Sequence, residues 1–164
     1  MLFIRSFRCN LNETEKLADW LKGVASAIDE MPYHRLRLLT HEAFVNACKF
    51  AKEESGQIIV LIRKSPELEI VVTDPGKGFD LPGISLQDQM TLGHSWQFLS
   101  QSRTSVHARL EAPSQLRFYL AEDNGSPEED LKENHRGLIS MLRVAKDLHY
   151  HFAPHSFNYI RISC

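Results

Sequence analysis

A strand-like apolar run that ends in an aspartate and two glycines constrains this chain more than any other feature. Residues 68–72 are rich in isoleucine and valine, and Asp74, Gly76 and Gly78 follow closely. Glycine lets the backbone approach a bound molecule, because it has no Cβ atom. The pattern is typical of a nucleotide site at the end of a strand, but taken alone it is more common in plain turns, so the assignment depends on two other motifs.

Upstream, a segment with helical periodicity carries Glu42 and Asn46. Their spacing places both side chains on one face of a helix. The carboxylate can accept a proton, and the amide oxygen can bind a hard metal ion. We therefore expect one helix to present both groups to the same ligand.

Downstream, Arg136, Gly137 and Leu138 open another amphipathic run, which we expect to continue as a helix through Leu148. A helix that starts with arginine and glycine is suited to phosphate, because its first amide groups and its dipole favour anions. The guanidinium group would add charged hydrogen bonds. The three motifs, in chain order, are Glu42 with Asn46, then Asp74 with Gly76 and Gly78, then Arg136 with Gly137 and Leu138.

The order of these motifs resembles the N, G1 and G2 boxes of the GHKL ATPase superfamily. Within that superfamily the chain is most similar to the anti-sigma factor serine kinases of bacterial partner-switching systems. The likeness extends from about Phe3 to Ile162, apart from a long central segment. It departs in the third motif, where His135 occupies the first glycine position of the usual pattern.

The resemblance implies a role for each motif residue. Glu42 would be the catalytic base that accepts a proton from the attacking hydroxyl group. Asn46 would bind Mg²⁺, and Asp74 would accept a hydrogen bond from the exocyclic amine of adenine, which favours ATP over GTP. The other residues implied to contact the nucleotide are Gly76, Gly78, Arg136, Gly137 and Leu138.

The function implied by the resemblance is that of an ATP-dependent protein serine/threonine kinase and anti-sigma-type regulator. Its substrate would be a STAS-type antagonist, and its second partner would be a sigma factor or another sequestered regulator. A homodimer is also implied. The alternative is a nucleotide-binding or degenerate module that sequesters a partner without phosphotransfer, which His135 and the enlarged central segment motivate.

Composition and charge narrow the class of protein. The 164 residues are 43% hydrophobic, which is enough for a single substantial core. The formal net charge of −2 provides no broad cationic field, so we expect no nucleic acid or membrane partner. Arg5 and Arg8 interrupt the apolar N-terminus, so we expect neither a signal sequence nor a membrane span.

The cysteines and histidines show no metal-binding spacing. Cys9, Cys48 and Cys164 are widely separated, which favours free thiols in a reducing cytoplasm. Although Cys48 is next to the first motif, we expect it to pack as a small apolar residue. We therefore predict no zinc site and no cysteine nucleophile.

Periodicity predicts an α+β two-layer sandwich, with a mixed, mostly antiparallel sheet and helices on one face. An edge strand at residues 2–8 precedes a helix with a capping box of Asn12 and Glu15, and a second helix begins near Pro32. The predicted hairpins pair residues 57–63 with 68–72, 106–110 with 116–120, and 150–152 with 158–162.

The central segment, residues 81–133, is longer than the lid that separates the two glycine motifs in the resembling kinases. Within it, residues 86–99 are expected to contain a helix that breaks near Gly93. Residues 122–133 are acidic and contain proline and glycine, as is typical of a surface linker. We expect residues 1–164 to form a single domain that includes this segment.

Overall fold

The structure is a computed structural model that describes residues 1–50, 56–74, 91–101, 104–122, 136–152 and 158–164. Its helices are α1 (Thr14–Ala27), α2 (Tyr33–Phe50) and α3 (Arg136–Val144). Its strands are β1 (Leu2–Arg8), β2 (Gln57–Lys64), β3 (Leu68–Asp74), β4 (Ser95–Gln101), β5 (Thr104–Ala112), β6 (Gln115–Glu122), β7 (Asp147–His151) and β8 (Asn158–Ser163).

The described strands form one sheet of eight strands, in the order β1-β2-β3-β8-β7-β6-β5-β4. Every pairing between neighbours is antiparallel. The three predicted hairpins are present as β2 with β3, β5 with β6, and β7 with β8. The sandwich prediction is confirmed, and β1 lies at an edge of the sheet as expected.

One face of the sheet is apolar across most of its width, because alternating side chains are in register from strand to strand. Val60 lies opposite Val72, and Val72 lies opposite Ile160. The row continues through Tyr150 to Leu116. All five side chains are buried, so this face forms the floor of the core.

Helix α2 is central to the layer that covers this floor. It contacts β2 and β3 in the sheet, and it contacts α1 and α3 within its own layer. Phe44 packs edge-on against Phe7 of β1, with 5.8 Å between the ring centroids. The buried stripe of α2 consists of Leu36, Leu39, Ala43, Phe44 and Ala47. Helix α3 lies over β6 and β7.

The opposite face of strands β5 to β8 is polar. Arg117 forms an ion pair with Asp147 at 2.6 Å, and Nε2 of His149 lies 3.1 Å from Oε2 of Glu111. Partly exposed ion pairs of this kind contribute only about 0–1 kcal/mol each. Burial of the apolar face therefore accounts for most of the stability of this part of the sheet.

The predicted helix at residues 86–99 was wrong where the structure describes it. Residues 95–99 belong to β4, which pairs with β5. Gly93 has φ of +83° and lies in the turn before the strand. Pairing with β5, the next strand along the chain, overrides a weak local helical preference. Residues 86–90 lie outside the described part of the chain.

Two helix ends also differ from prediction. Helix α3 ends at Val144, and Leu148 lies in β7 between its partners Phe118 and Ile162. The predicted capping box of Asn12 does not start α1, because a 3-10 turn precedes that helix. The turn is capped by Asn10, whose side chain accepts a hydrogen bond from the amide of Asn12 at 2.9 Å.

The enlarged central segment contributes strands to the sheet. Strands β4, β5 and β6 form an antiparallel meander, and β6 joins it to β7. Residues 81–90, 102–103 and 123–133 of the segment, which include the predicted linker beyond Glu122, lie outside the described residues. In the described parts, no helix combines the length and the apolar character needed to cross a membrane. A single domain for residues 1–164 stays a prediction.

A pair of leucine substitutions tests that prediction. Leu116→Ala is expected to lower the free energy of unfolding by about 2–5 kcal/mol, because Leu116 is 1% exposed and its loss leaves a cavity. Leu2→Ala, at a residue that is 54% exposed, should change it by less than about 0.5 kcal/mol. Both variants should unfold in one transition during denaturant titration followed by circular dichroism and tryptophan fluorescence. Two separated transitions, of which Leu116→Ala moves only one, would contradict the single domain.

Candidate functional site

Helix α2 holds the first motif at the border between its buried and exposed sides. Ala43 and Ala47 are buried against the core. Glu42 and Asn46 each precede one of these alanines and are half-buried. The packing of the alanines fixes the rotation of α2, so both polar side chains emerge on the same side of the helix, as predicted.

The third motif starts α3. Arg136 is the first residue of the helix and is exposed, and Gly137 is the second. The side chain of Leu138 is 3% exposed and belongs to the core. A nucleotide contact from Leu138 would therefore have to come from its backbone, since its side chain is occupied in packing.

Glu42 and Gly137 bring the first and third motifs into contact. A Cβ atom added to Gly137 would lie 3.1 Å from Cδ of Glu42, and Oε2 of the same carboxyl group would be nearer still. The other oxygen, Oε1, lies 3.7 Å from Nδ1 of His41. The carboxyl group thus occupies the space beside Gly137 that a side chain would otherwise take.

This location suits a negatively charged group. The first turn of an α-helix has amide groups without partners inside the helix, and the helix dipole is positive at this end. The side chain of Glu42 is 28% exposed, so a ligand can reach it from solvent. A carboxylate held here can accept a proton from a neighbouring hydroxyl group.

The second motif begins at the end of β3. Asp74 is the last residue of this strand, and its backbone is in register with Asn158 of β8. The side chain of Asp74 and the whole of Gly76 and Gly78 lie outside the described residues. Their predicted nucleotide contacts stay predictions. Helix α2 also contacts β3, so the strand that ends in Asp74 belongs to the same part of the core as the first motif.

Asn158 is a polar residue of this region that the sequence analysis missed. It is 6% exposed and lies opposite Asp74 across the strand pair. It also continues the alternation of the buried residues Ile160 and Ile162 towards the start of β8. A polar residue in the series of core-facing positions was the available signal; the predicted hairpin included Asn158 as the first residue of its second strand but gave it no functional role.

A comparison with protein families supplies the decisive observation. The family model of the histidine kinase-like ATPase domain matches residues 7–163. The chain belongs to this family. The match includes the three motifs and also strands β4 to β6. No curated protein matched the chain.

Membership in a histidine kinase-like ATPase family implies ATP binding and agrees with the GHKL resemblance. The residues around Gly137 fit such a ligand. The first turn of α3 offers amide groups to phosphate, and Asn46 offers an amide oxygen of the kind that binds hard metal ions. Among the described residues, no three His, Cys, Asp or Glu side chains gather closely enough to hold a metal ion by themselves.

Cys48 of the ATPase domain lies beside the first motif and has the properties of a packing residue. Burial raises the pKa of its thiol to about 12, and the neighbouring thiol of Cys9 adds to the effect. The sulfur of Cys9 in turn lies 4.0 Å from the carbonyl oxygen of Ala47. A nucleophilic cysteine needs a lowered pKa, so the environment of Cys48 opposes that role.

Slow alkylation of Cys48 follows from this environment. At pH 8, iodoacetamide should label Cys48 in the folded protein at least about 100-fold more slowly than in urea, because the thiolate is the reactive species. Peptide mass spectrometry after timed quenching measures the rate for each cysteine. Labelling of Cys48 at the rate of the unfolded chain would contradict both its burial and its raised pKa.

Proposed function

We propose that this ATPase domain is a protein serine/threonine kinase that also acts as an anti-sigma-type regulator in a bacterial partner-switching system. The observation that supports it best is the contact between Glu42 and the first turn of α3 at Gly137. Phosphorylation of a hydroxyl group is helped by a carboxylate that accepts its proton and by a helix N-terminus that binds the phosphate. Glu42 and the first turn of α3 provide these two groups side by side. Asn46 lies on the same side of α2 as this carboxylate.

Glu42 acts as the general base in the proposed reaction. Its carboxylate accepts the proton of a serine or threonine hydroxyl group on the protein substrate. The hydroxyl oxygen then bonds to the γ-phosphorus of ATP, and the bond from that phosphorus to the β,γ-bridging oxygen breaks. The products are the phosphorylated protein and ADP. General-base catalysis of this kind contributes about 10²–10⁴-fold to the rate.

Asn46 and α3 hold the phosphate end of the nucleotide in this proposal. Asn46 provides an amide oxygen to Mg²⁺, which reduces the charge that develops on the transferring group. Arg136 is exposed at the start of α3, where its guanidinium group can pair with phosphate oxygens. The backbone of Gly137 and Leu138 adds amide groups at the same helix start.

Asp74, Gly76 and Gly78 hold the adenine end. The carboxylate of Asp74 accepts a hydrogen bond from the exocyclic amine of adenine, whereas guanine has a carbonyl group at that position. The glycines allow the backbone to approach the base and ribose. Asn158 is the buried polar residue opposite Asp74 across the strand pair, so a further polar side chain is available at this end of β3.

The proposed partners follow the GHKL resemblance. The substrate is a STAS-type antagonist, and the sequestered partner is a sigma factor or another regulator in the cytoplasm. Phosphorylation adds negative charge to the antagonist at its interface with the kinase and weakens that complex. The released kinase then holds its second partner. We expect the kinase to form a homodimer.

Replacing the proposed base tests the reaction. Glu42→Gln should lower phosphotransfer to a purified STAS-type antagonist by at least about 10²-fold, because an amide cannot take the proton. ATP affinity should change much less, since the shape of the side chain is kept. Transfer of the labelled γ-phosphate and calorimetry measure the two quantities. The matched control Glu15→Gln, at an exposed position of α1, should behave as the unmodified protein.

Retention of activity in Glu42→Gln would exclude Glu42 as the base. Tight ATP binding by the unmodified protein, with no transfer to any STAS-type antagonist encoded beside it, would instead favour the regulatory module without phosphotransfer. The two results can be told apart, because the unmodified protein transfers phosphate in the first case and does not in the second.

Asn46→Ala is expected to remove the magnesium-dependent part of ATP affinity, because the amide oxygen that binds the ion is lost. Calorimetric titration of ATP with Mg²⁺ and with excess chelator should show a difference in the unmodified protein and little difference in the variant. Asn12→Ala, at an exposed position before α1, is the control and should keep the magnesium effect. An undiminished magnesium effect in Asn46→Ala would exclude this residue as the ligand.

A further inference from the structure

We infer that Gly137 is a positioning residue for Glu42, because its missing side chain creates the space in which the carboxyl group is held. This role is additional to the phosphate contact proposed for the backbone of Gly137. The effect of this positioning on the reaction rate rests on the proposed function of Glu42 as a base. Its steric basis rests only on the contact between α2 and α3.

Backbone conformation does not explain a glycine at position 137. The residue lies inside an α-helix, and among the described residues only Gly93 is a glycine with positive φ. Glycine is also less favourable than alanine in a helix. Glycine is therefore needed at position 137 because a side chain there would overlap with Glu42, whose carboxyl group occupies that volume.

The helix segments on both sides of this space, in α2 and α3, are packed into the core. On α3, Leu138 and Ile139 are buried directly after Gly137. On α2, Ala43 and Phe44 are buried directly after Glu42. A methyl group at position 137 would therefore displace the Glu42 side chain more readily than it would separate the helices, since the side chain is partly exposed and can turn outward.

Displacement of the carboxyl group would affect catalysis more than nucleotide binding. A misplacement of about 1 Å in a reacting group can reduce a rate by about 10²-fold. The amide groups of the first turn remain in place when glycine is replaced by alanine. We therefore expect Gly137→Ala to lower kcat strongly and to leave the KM for ATP nearly unchanged.

A double-mutant cycle in unfolding tests the steric basis without any assay of activity. Gly23→Ala is a matched control, because Gly23 is also in a helix and an added Cβ would meet no atom within 4 Å. The control should lower the unfolding equilibrium constant by up to about fivefold, from helix propensity alone. Gly137→Ala should change the constant in the same direction when it is combined with Glu42→Ala, and should give less of this gain or none when Glu42 is present.

Equal effects of Gly137→Ala in the presence and absence of Glu42 would overturn the inference, because the two residues would then be uncoupled. Measurements of kcat test the effect of Gly137 on catalysis. In Gly137→Ala, kcat should fall by about 10²-fold, and the double variant Gly137→Ala/Glu42→Asp should recover part of this loss because the shorter carboxylate needs less space. A fall in ATP affinity with no change in kcat would contradict the positioning role.

The two arms also separate this inference from the proposed function. If the unmodified protein transfers no phosphate, the kinase proposal fails, and the unfolding cycle still decides whether Gly137 seats the carboxyl group. If transfer is present and depends on Glu42, but the cycle shows no coupling, the kinase proposal stands and the role of Gly137 as a positioning residue is wrong.

Discussion

The seating of α2 on the apolar face of the sheet is the interaction on which the candidate site depends. A fully buried leucine or phenylalanine side chain, such as Leu36, Leu39 or Phe44, contributes about 1.5–3 kcal/mol, whereas an exposed ion pair contributes about 0–1 kcal/mol. The buried stripe that includes Ala43, Phe44 and Ala47 therefore sets the rotation of the helix. Glu42 and Asn46 need no contact with each other to be aligned, because the same packing aligns them.

The contact between α2 and α3 joins two motifs that are far apart in the chain. The position of the Glu42 carboxyl group in this contact requires a helix residue without a side chain, although glycine lowers helix stability by about 1 kcal/mol relative to alanine. Such a local conflict with secondary-structure preference is expected at functional sites, where geometry matters more than stability. Gly137 and Glu42 form such a conflict, since the carboxyl group fills the space that alanine would use.

The ATPase domain accommodates its long central segment by extending the sheet. Strands β4 to β6 continue the antiparallel ladder from β7, and Leu116 continues the buried row that passes through Tyr150. Added strands satisfy their own backbone hydrogen bonds and add apolar surface to the existing core. The segment therefore extends the sheet at the edge opposite β1, and α3, which contacts α2, lies over β6 of this segment and over β7.

The sequence by itself determined the three hairpins and the shared face of Glu42 and Asn46, because alternation and helical periodicity are local properties of neighbouring residues. It also contained the three motifs whose order resembles that of the GHKL ATPases. The strand at residues 95–99 was predicted incorrectly, since its partner β5 decides its conformation. Only the tertiary structure placed Gly137 against Glu42 and Asn158 opposite Asp74, because helix contacts and strand register join residues that no local pattern connects.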